Sequence, residues 1–174
     1  MFRRDSVEGI APGGTMHGAA AATLWMLYGV ASGDAAIGAA NAAVLLAMAL
    51  IIGQQVRHRV LAARTVAAFA VVLCVAGGAG LSVSRIAVGW LAIAVGATSV
   101  LPQTWHVVRA SALSGVSIPM YALLCLTTVS WASYGLAVGD LLVVATNLLV
   151  LPCAALVVAR TWIAQRAPLV PAVS

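Results

Sequence analysis

The sequence predicts an all-α polytopic membrane protein with six transmembrane helices, and three observations carry that reading. Of its 174 residues, 63% are hydrophobic and only 7% are charged, too few charges to cover a soluble surface. Apolar runs of roughly the length needed to cross ~30 Å of hydrocarbon follow one another with short polar breaks. The nine basic residues, all of them arginine, concentrate in alternate breaks. Lipid is then the solvent for most of these side chains.

Residues 1–15 are polar and hold Arg3, Arg4, Asp5, Glu8, Pro12, Gly13 and Gly14. A secretory leader would start its apolar run directly after the two arginines; acids and glycines intervene here, so no cleaved leader is expected. The first apolar run, Met16–Ser32, carries Trp25 and Tyr28; being short and rich in Ala, it is the weakest span. The second, Asp34–Gly53, carries Asn41, and Gln54–Arg64 forms a basic loop with Arg57, His58, Arg59 and Arg64. The third, Thr65–Leu81, ends in Gly77-Gly78-Ala79-Gly80, small residues that let a neighbouring helix approach. The fourth, Ile86–Val108, is broken near its end by Pro102-Gln103, and Arg109–Ser117 is a loop. The fifth, Ile118–Val138, opens with Pro119 in its first turn, and the sixth, Asp140–Ala159, carries Asn147 and an interior Pro152. From Arg160 the chain reads as a mobile tail with two prolines.

Six spans put both termini on one side. With that side cytoplasmic, Arg3, Arg4, Arg57, Arg59, Arg64, Arg109, Arg160 and Arg166 are inside and Arg85 is outside, a ratio of 8 to 1. A chain without lysine and rich in alanine fits a bacterial source, so the expected location is a bacterial inner membrane with both termini cytoplasmic. The net charge of +5 follows from these loops, and no nucleic-acid partner is expected.

One pattern, W-x2-Y-G-x3-G-D-x6-N, occurs twice without a gap. Trp25, Tyr28, Gly29, Gly33, Asp34 and Asn41 recur as Trp131, Tyr134, Gly135, Gly139, Asp140 and Asn147, with 131 − 25 = 147 − 41 = 106. Arg3 against Arg109 and Gly9 against Gly115 keep the same offset, so the chain reads as an internal duplication. Both tryptophans lie in helices that run from inside to outside, which makes the repeats parallel, with the third helix as linker. The expected organisation is a first repeat over residues 1–53, a basic loop and linker helix over 54–85, a second repeat over 86–160 and a cytoplasmic tail over 161–174. The second repeat is a three-helix bundle. Subtracting 106 from Pro102 falls before residue 1, so the first repeat is expected to lack its first helix. That leaves a flank at Gly38 and Ala42 uncovered, and self-association into a homo-oligomer is expected.

The polar residues inside these spans are few. A single buried Asn is commonly interhelical glue, with a contribution of ~0.6–2 kcal/mol. Asn41 and Asn147 each follow a Trp by sixteen residues and lie near mid-membrane, so the pair reads as a two-sided polar site. Trp25 and Trp131 are either interface-belt aromatics or flat apolar walls suited to the C–H faces of a sugar ring. Asp34 and Asp140 follow glycines at the outer helix ends; capping of the next helix and gating with Tyr28 and Tyr134 are compatible roles. Pro102, beside Gln103, lacks an amide hydrogen and weakens its helix by ~3 kcal/mol in an ordinary interior, which makes a hinge, with Pro119 a milder one. His17, His58 and His106 show no ligand spacing, and Cys74, Cys125 and Cys153 read as small buried hydrophobes. No paired carboxylates, phosphate loop or dinucleotide fingerprint occurs, so the protein is not expected to be an enzyme, and neither a metal nor a cofactor is expected.

Leu101-Pro102-Gln103, Ser114-Gly115-Val116-Ser117 and the stretch from Trp131 to Asn147 resemble the PQ-loop superfamily, and within it the SWEET and SemiSWEET sugar transporters. The resemblance covers residues 86–159 well and residues 3–53 more thinly. It implies three-helix bundles repeated around a central pore, and SWEETs are themselves a stated case of parallel repeats. It further implies that Trp25, Asn41, Trp131 and Asn147 bind sugar. Tyr28, Asp34, Tyr134 and Asp140 would form the outer gate, and Pro102 and Gln103 the inner hinge. The expected function is facilitated diffusion of a small neutral sugar by alternating access. The alternatives are a non-transporting membrane scaffold and a proton-coupled amino-acid exporter.

Overall fold

A computed structural model describes residues 12–109 and 116–166, with the backbone alone at 99, 100, 102, 103 and 106. Every element among the described residues is an α-helix: α1 (Pro12–Ser32), α2 (Ala35–Arg57), α3 (Ala63–Val83), α4 (Arg85–Arg109), α5 (Ile118–Val138) and α6 (Leu141–Arg166). Four of them, α2, α3, α5 and α6, are long and apolar enough to cross a membrane, with mean hydropathy from 1.4 to 2.5. Between 11 and 22% of each of these apolar stretches is buried inside the protein, so the rest needs an apolar solvent. The chain is a multi-pass membrane protein. Of the other two, α1 has the length but is diluted by Gly13, Gly14, Thr15 and His17, and α4 is apolar over its fully described stretch, Arg85–Thr98.

Several helix ends differ from expectation. α1 already includes Pro12, ahead of the expected Met16. α2 runs to Arg57, so the basic loop shrinks to residues 58–62, with Arg57 and Arg64 inside helices. Glutamine and arginine are good helix formers, and the reversal comes only at Arg59, whose φ of 59° is left-handed. α4 passes through Pro102 without a break, as helices within a membrane can when neighbours satisfy the freed carbonyl. α6 passes through Pro152 and continues to Arg166, so the expected mobile tail begins as helix. Two bonds hold that last stretch: Arg160 donates to the Val108 carbonyl at 3.2 Å and Gln165 to that of Val116 at 3.1 Å.

The chain divides into two compact units, Met1–Ser99 and Val100–Ser174. In the first, α1 and α2 form a tight hairpin and α3 leans on α1. Gly77 makes that approach possible, since a Cβ there would meet Leu27 Cδ1 at 2.7 Å. Gly80 does the same for α4, with Val88 Cγ2 at 3.0 Å, whereas Gly78 faces open space. The glycine-rich end of α3 is thus a packing surface on two sides. In the second unit α5 and α6 form the matching hairpin around Val107, Tyr121, Ala154 and Val157. Cys74 is exposed and Cys125 and Cys153 are half-buried free thiols, so the expected burial is met at neither extreme.

Candidate functional site

The duplicated pattern folds twice into the same helical hairpin. α1 stops because Gly33 adopts φ 72°, a left-handed conformation that costs glycine nothing. Its amide donates to the Val30 carbonyl at 3.1 Å and that of Asp34 to Gly29 at 2.8 Å, the paired bonds of a Schellman cap. Asp34 then turns extended, and its Oδ1 accepts from the Ala36 and Ile37 amides at 3.0 Å each, capping α2. At α5–α6 the same bonds recur. Gly139 (φ 74°) donates to Leu136 at 3.3 Å, Asp140 donates to Gly135 at 2.8 Å, and Asp140 Oδ1 accepts from Leu142 at 3.0 Å and Val143 at 3.2 Å.

The inner glycine of each pattern lets the two helices touch. A Cβ on Gly29 would lie 2.5 Å from the Gly38 amide nitrogen, and one on Gly135 would lie 3.0 Å from the Asp140 carbonyl and from Val144 Cγ2. Half of the pattern, its two glycines and its aspartate, is therefore accounted for by building a hairpin. The capping role of Asp34 and Asp140 is what the geometry realises.

The other half is not needed for the turn. Trp25 packs edge-on to Tyr28, centroids 5.5 Å apart at 89°, and Trp131 does so to Tyr134 at 5.6 Å and 87°. Such T-shaped pairs fix both rings, because the positive edge of one meets the negative face of the other. Asn41 donates through Nδ2 to the Ile37 carbonyl at 2.9 Å, and Asn147 to Val143 at 2.8 Å, each one turn back. One amide hydrogen is used this way, which leaves a second donor and the Oδ1 acceptor on each side chain. Trp25 stands eight residues before Gly33 and Asn41 seven after Asp34, so both lie about 11 Å from the turn at ~1.5 Å per residue. The same count holds for Trp131 and Asn147. Each hairpin thus brings a fixed indole and a half-satisfied amide to one depth.

The duplication also reaches the other end of the hairpins, beyond the motif. Gln55 donates to Thr15 Oγ1 at 3.3 Å, and both are buried. Adding 106 to each gives Tyr121 and Thr161, which are buried as well. Of the expected hinge, Pro119 sits in the first turn of α5, where it leaves the helix intact. The side chains of Pro102 and Gln103 lie outside the described residues, as do Arg3, Arg4 and the loop 110–115.

His17 is a polar contact that its isolation in the sequence concealed. Its Nε2 lies 2.7 Å from the Val95 carbonyl of α4 and 3.4 Å from Thr98 Oγ1. A carbonyl only accepts, so Nε2 carries the hydrogen. The partners are 78 and 81 residues away, and no local spacing signals such a pair.

Residues 86–144, which hold α4, α5 and the Gly139-Asp140 turn, match the PQ loop repeat family. Over this stretch the chain is similar to a PQ loop repeat. The match spans about a third of the sequence, ends before Asn147 and does not include the first hairpin, whose equivalence rests on the geometry above. No curated protein matches the chain.

Proposed function

We propose that this PQ-loop protein carries a small neutral sugar across the membrane by facilitated diffusion with alternating access. The observation that supports this reading is the repetition of one aromatic–amide set, Trp25 with Asn41 and Trp131 with Asn147, at equal depth in two hairpins of the same geometry. The indoles take the C–H faces of a sugar ring, and the remaining N–H and carbonyl of each amide take its hydroxyls. A neutral cargo is favoured because Asp34 and Asp140, the carboxylates among the described residues, cap helices rather than stand inside them. The same reading has Tyr28, Asp34, Tyr134 and Asp140 at the outer gate and Pro102, Gln103 and Pro119 at the inner hinge. Both termini are then cytoplasmic, with Arg57, Arg109 and Arg166 at inner helix ends and Arg85 at an outer one.

Uptake of labelled mono- and disaccharides into proteoliposomes tests this. Saturable uptake that disappears in Trp131→Ala with Asn147→Ala is expected, and saturable uptake that survives the pair overturns the site. His17 supports a second reading, proton-coupled export, because it sets an imidazole between α1 and α4. That reading requires flux to follow an imposed pH gradient and to lose the dependence in His17→Gln. Flux that ignores the gradient eliminates it.

A further inference from the structure

The lipid-facing side of the first unit carries an apolar groove of about 700 Å³ between α1, α2 and α3. Its wall on α2 runs from Leu45 to Val56 and its wall on α3 from Ala63 to Cys74, eleven residue steps in each case (56 − 45 = 74 − 63). At ~1.5 Å per residue each wall is about 16 Å long, and half of a ~30 Å hydrocarbon core is about 15 Å. The groove is therefore one leaflet deep. The end of the groove lined by Val56 and Ala63 lies at the α2–α3 turn, and that turn carries Arg57, Arg59 and Arg64, all exposed. Asp34, the described carboxylate of this unit, is at the opposite end of α2, about 34 Å away at ~1.5 Å per residue, and gives these cations no counter-charge.

From this juxtaposition we infer that the groove binds one anionic phospholipid. One acyl chain lies along Leu45, Phe69 and Cys74, and the phosphate meets the arginines at the mouth. A helix from a second copy would need a channel through both leaflets, and this groove ends halfway. Three cations at the headgroup level select an anionic lipid over a zwitterionic one. The inference is independent of what the protein transports.

Native mass spectrometry of the full chain tests it, after incubation in detergent with phosphatidylglycerol or with phosphatidylcholine of the same acyl chains. One phosphatidylglycerol per chain should survive activation that strips phosphatidylcholine. Arg57→Gln with Arg64→Gln should lower its retention at least tenfold, and so should Ala67→Phe, which fills the groove and keeps the charges. Equal retention of the two lipids overturns the inference, as does full retention in Ala67→Phe or a second copy of the chain held in place of lipid. Should Ala67→Phe not fold, alkylation of Cys74 at the deep end of the groove decides, in a Cys125→Ala, Cys153→Ala background. Phosphatidylglycerol should slow it at least fivefold relative to phosphatidylcholine. An unchanged rate, or the same slowing by inorganic phosphate, refutes an acyl chain in the groove.

Discussion

Placing a methyl group on Gly29 and on Gly135 should have unequal effects, although the two glycines hold the same position in the duplicated pattern. At Gly29 the nearest atoms are backbone, Gly38 N at 2.5 Å and Gly38 Cα at 3.0 Å. Reaching ordinary contact at 3.4 Å requires α1 and α2 to part by 3.4 − 2.5 = 0.9 Å. At Gly135 the shift is 3.4 − 3.0 = 0.4 Å, and one of the close atoms is the movable Val144 Cγ2. A gap of ~0.5–1 Å forfeits a quarter to a half of each dispersion contact across the opened seam. Overpacking of this kind costs about 1–3 kcal/mol, and Gly29→Ala belongs at the upper end. Replacing glycine by alanine inside a helix returns about 1 kcal/mol. The net expectation is a loss of about 2 kcal/mol for Gly29→Ala and close to zero for Gly135→Ala. Unfolding of the purified protein by SDS titration, followed by circular dichroism, measures both. Equal stabilities, or a larger loss at Gly135, would show that the α1–α2 seam is looser than described.

Gly33→Ala and Gly139→Ala meet no atom within 4 Å, so their loss of ~1–2 kcal/mol should come from left-handed backbone alone and be equal at the two sites. Asn at either position should recover part of it in the same titration, since Asn tolerates that conformation. Asp34→Ala and Asp140→Ala should each cost about 1 kcal/mol as lost caps, while Asp34→Asn and Asp140→Asn should keep stability. If the Asn variants also keep full uptake, the charge of these residues has no part in gating. Removing both anchors of the last helix, Arg160→Ala with Gln165→Ala, should speed amide hydrogen exchange over residues 160–166 and leave the hairpin near Gly139 unchanged.

How much could be read without coordinates depended on the kind of signal. Apolar runs and a gapless repeat are dense local patterns, and they give the helices and the equivalence of Trp25 with Trp131. Gly29, Gly33 and Asp34 were legible as a turn because left-handed backbone, close approach and capping each demand a particular residue. The helix ends were less so. Gln54, Gln55, Arg57 and Arg160 mark the edge of the apolar sequence, yet they are good helix formers and the helices continue past that edge. Contacts between distant residues left no local trace. The His17 bond to Val95 and the groove between α2 and α3 depend on which helix packs beside which, and neither has a counterpart 106 residues away to announce it.

The central claim is the proposed reading of Asn41 and Asn147 as sugar-binding residues, and paired single substitutions test it most directly. Asn41→Ala and Asn147→Ala remove the same amide, each with one bond to its own helix, so the cost to stability should be below about 1 kcal/mol for both. Initial rates of sugar uptake into proteoliposomes, measured side by side with the unaltered protein, should then fall by at least tenfold in each variant, chiefly through KM. A loss confined to Asn147→Ala, or to neither, would contradict a sugar-binding role for both asparagines.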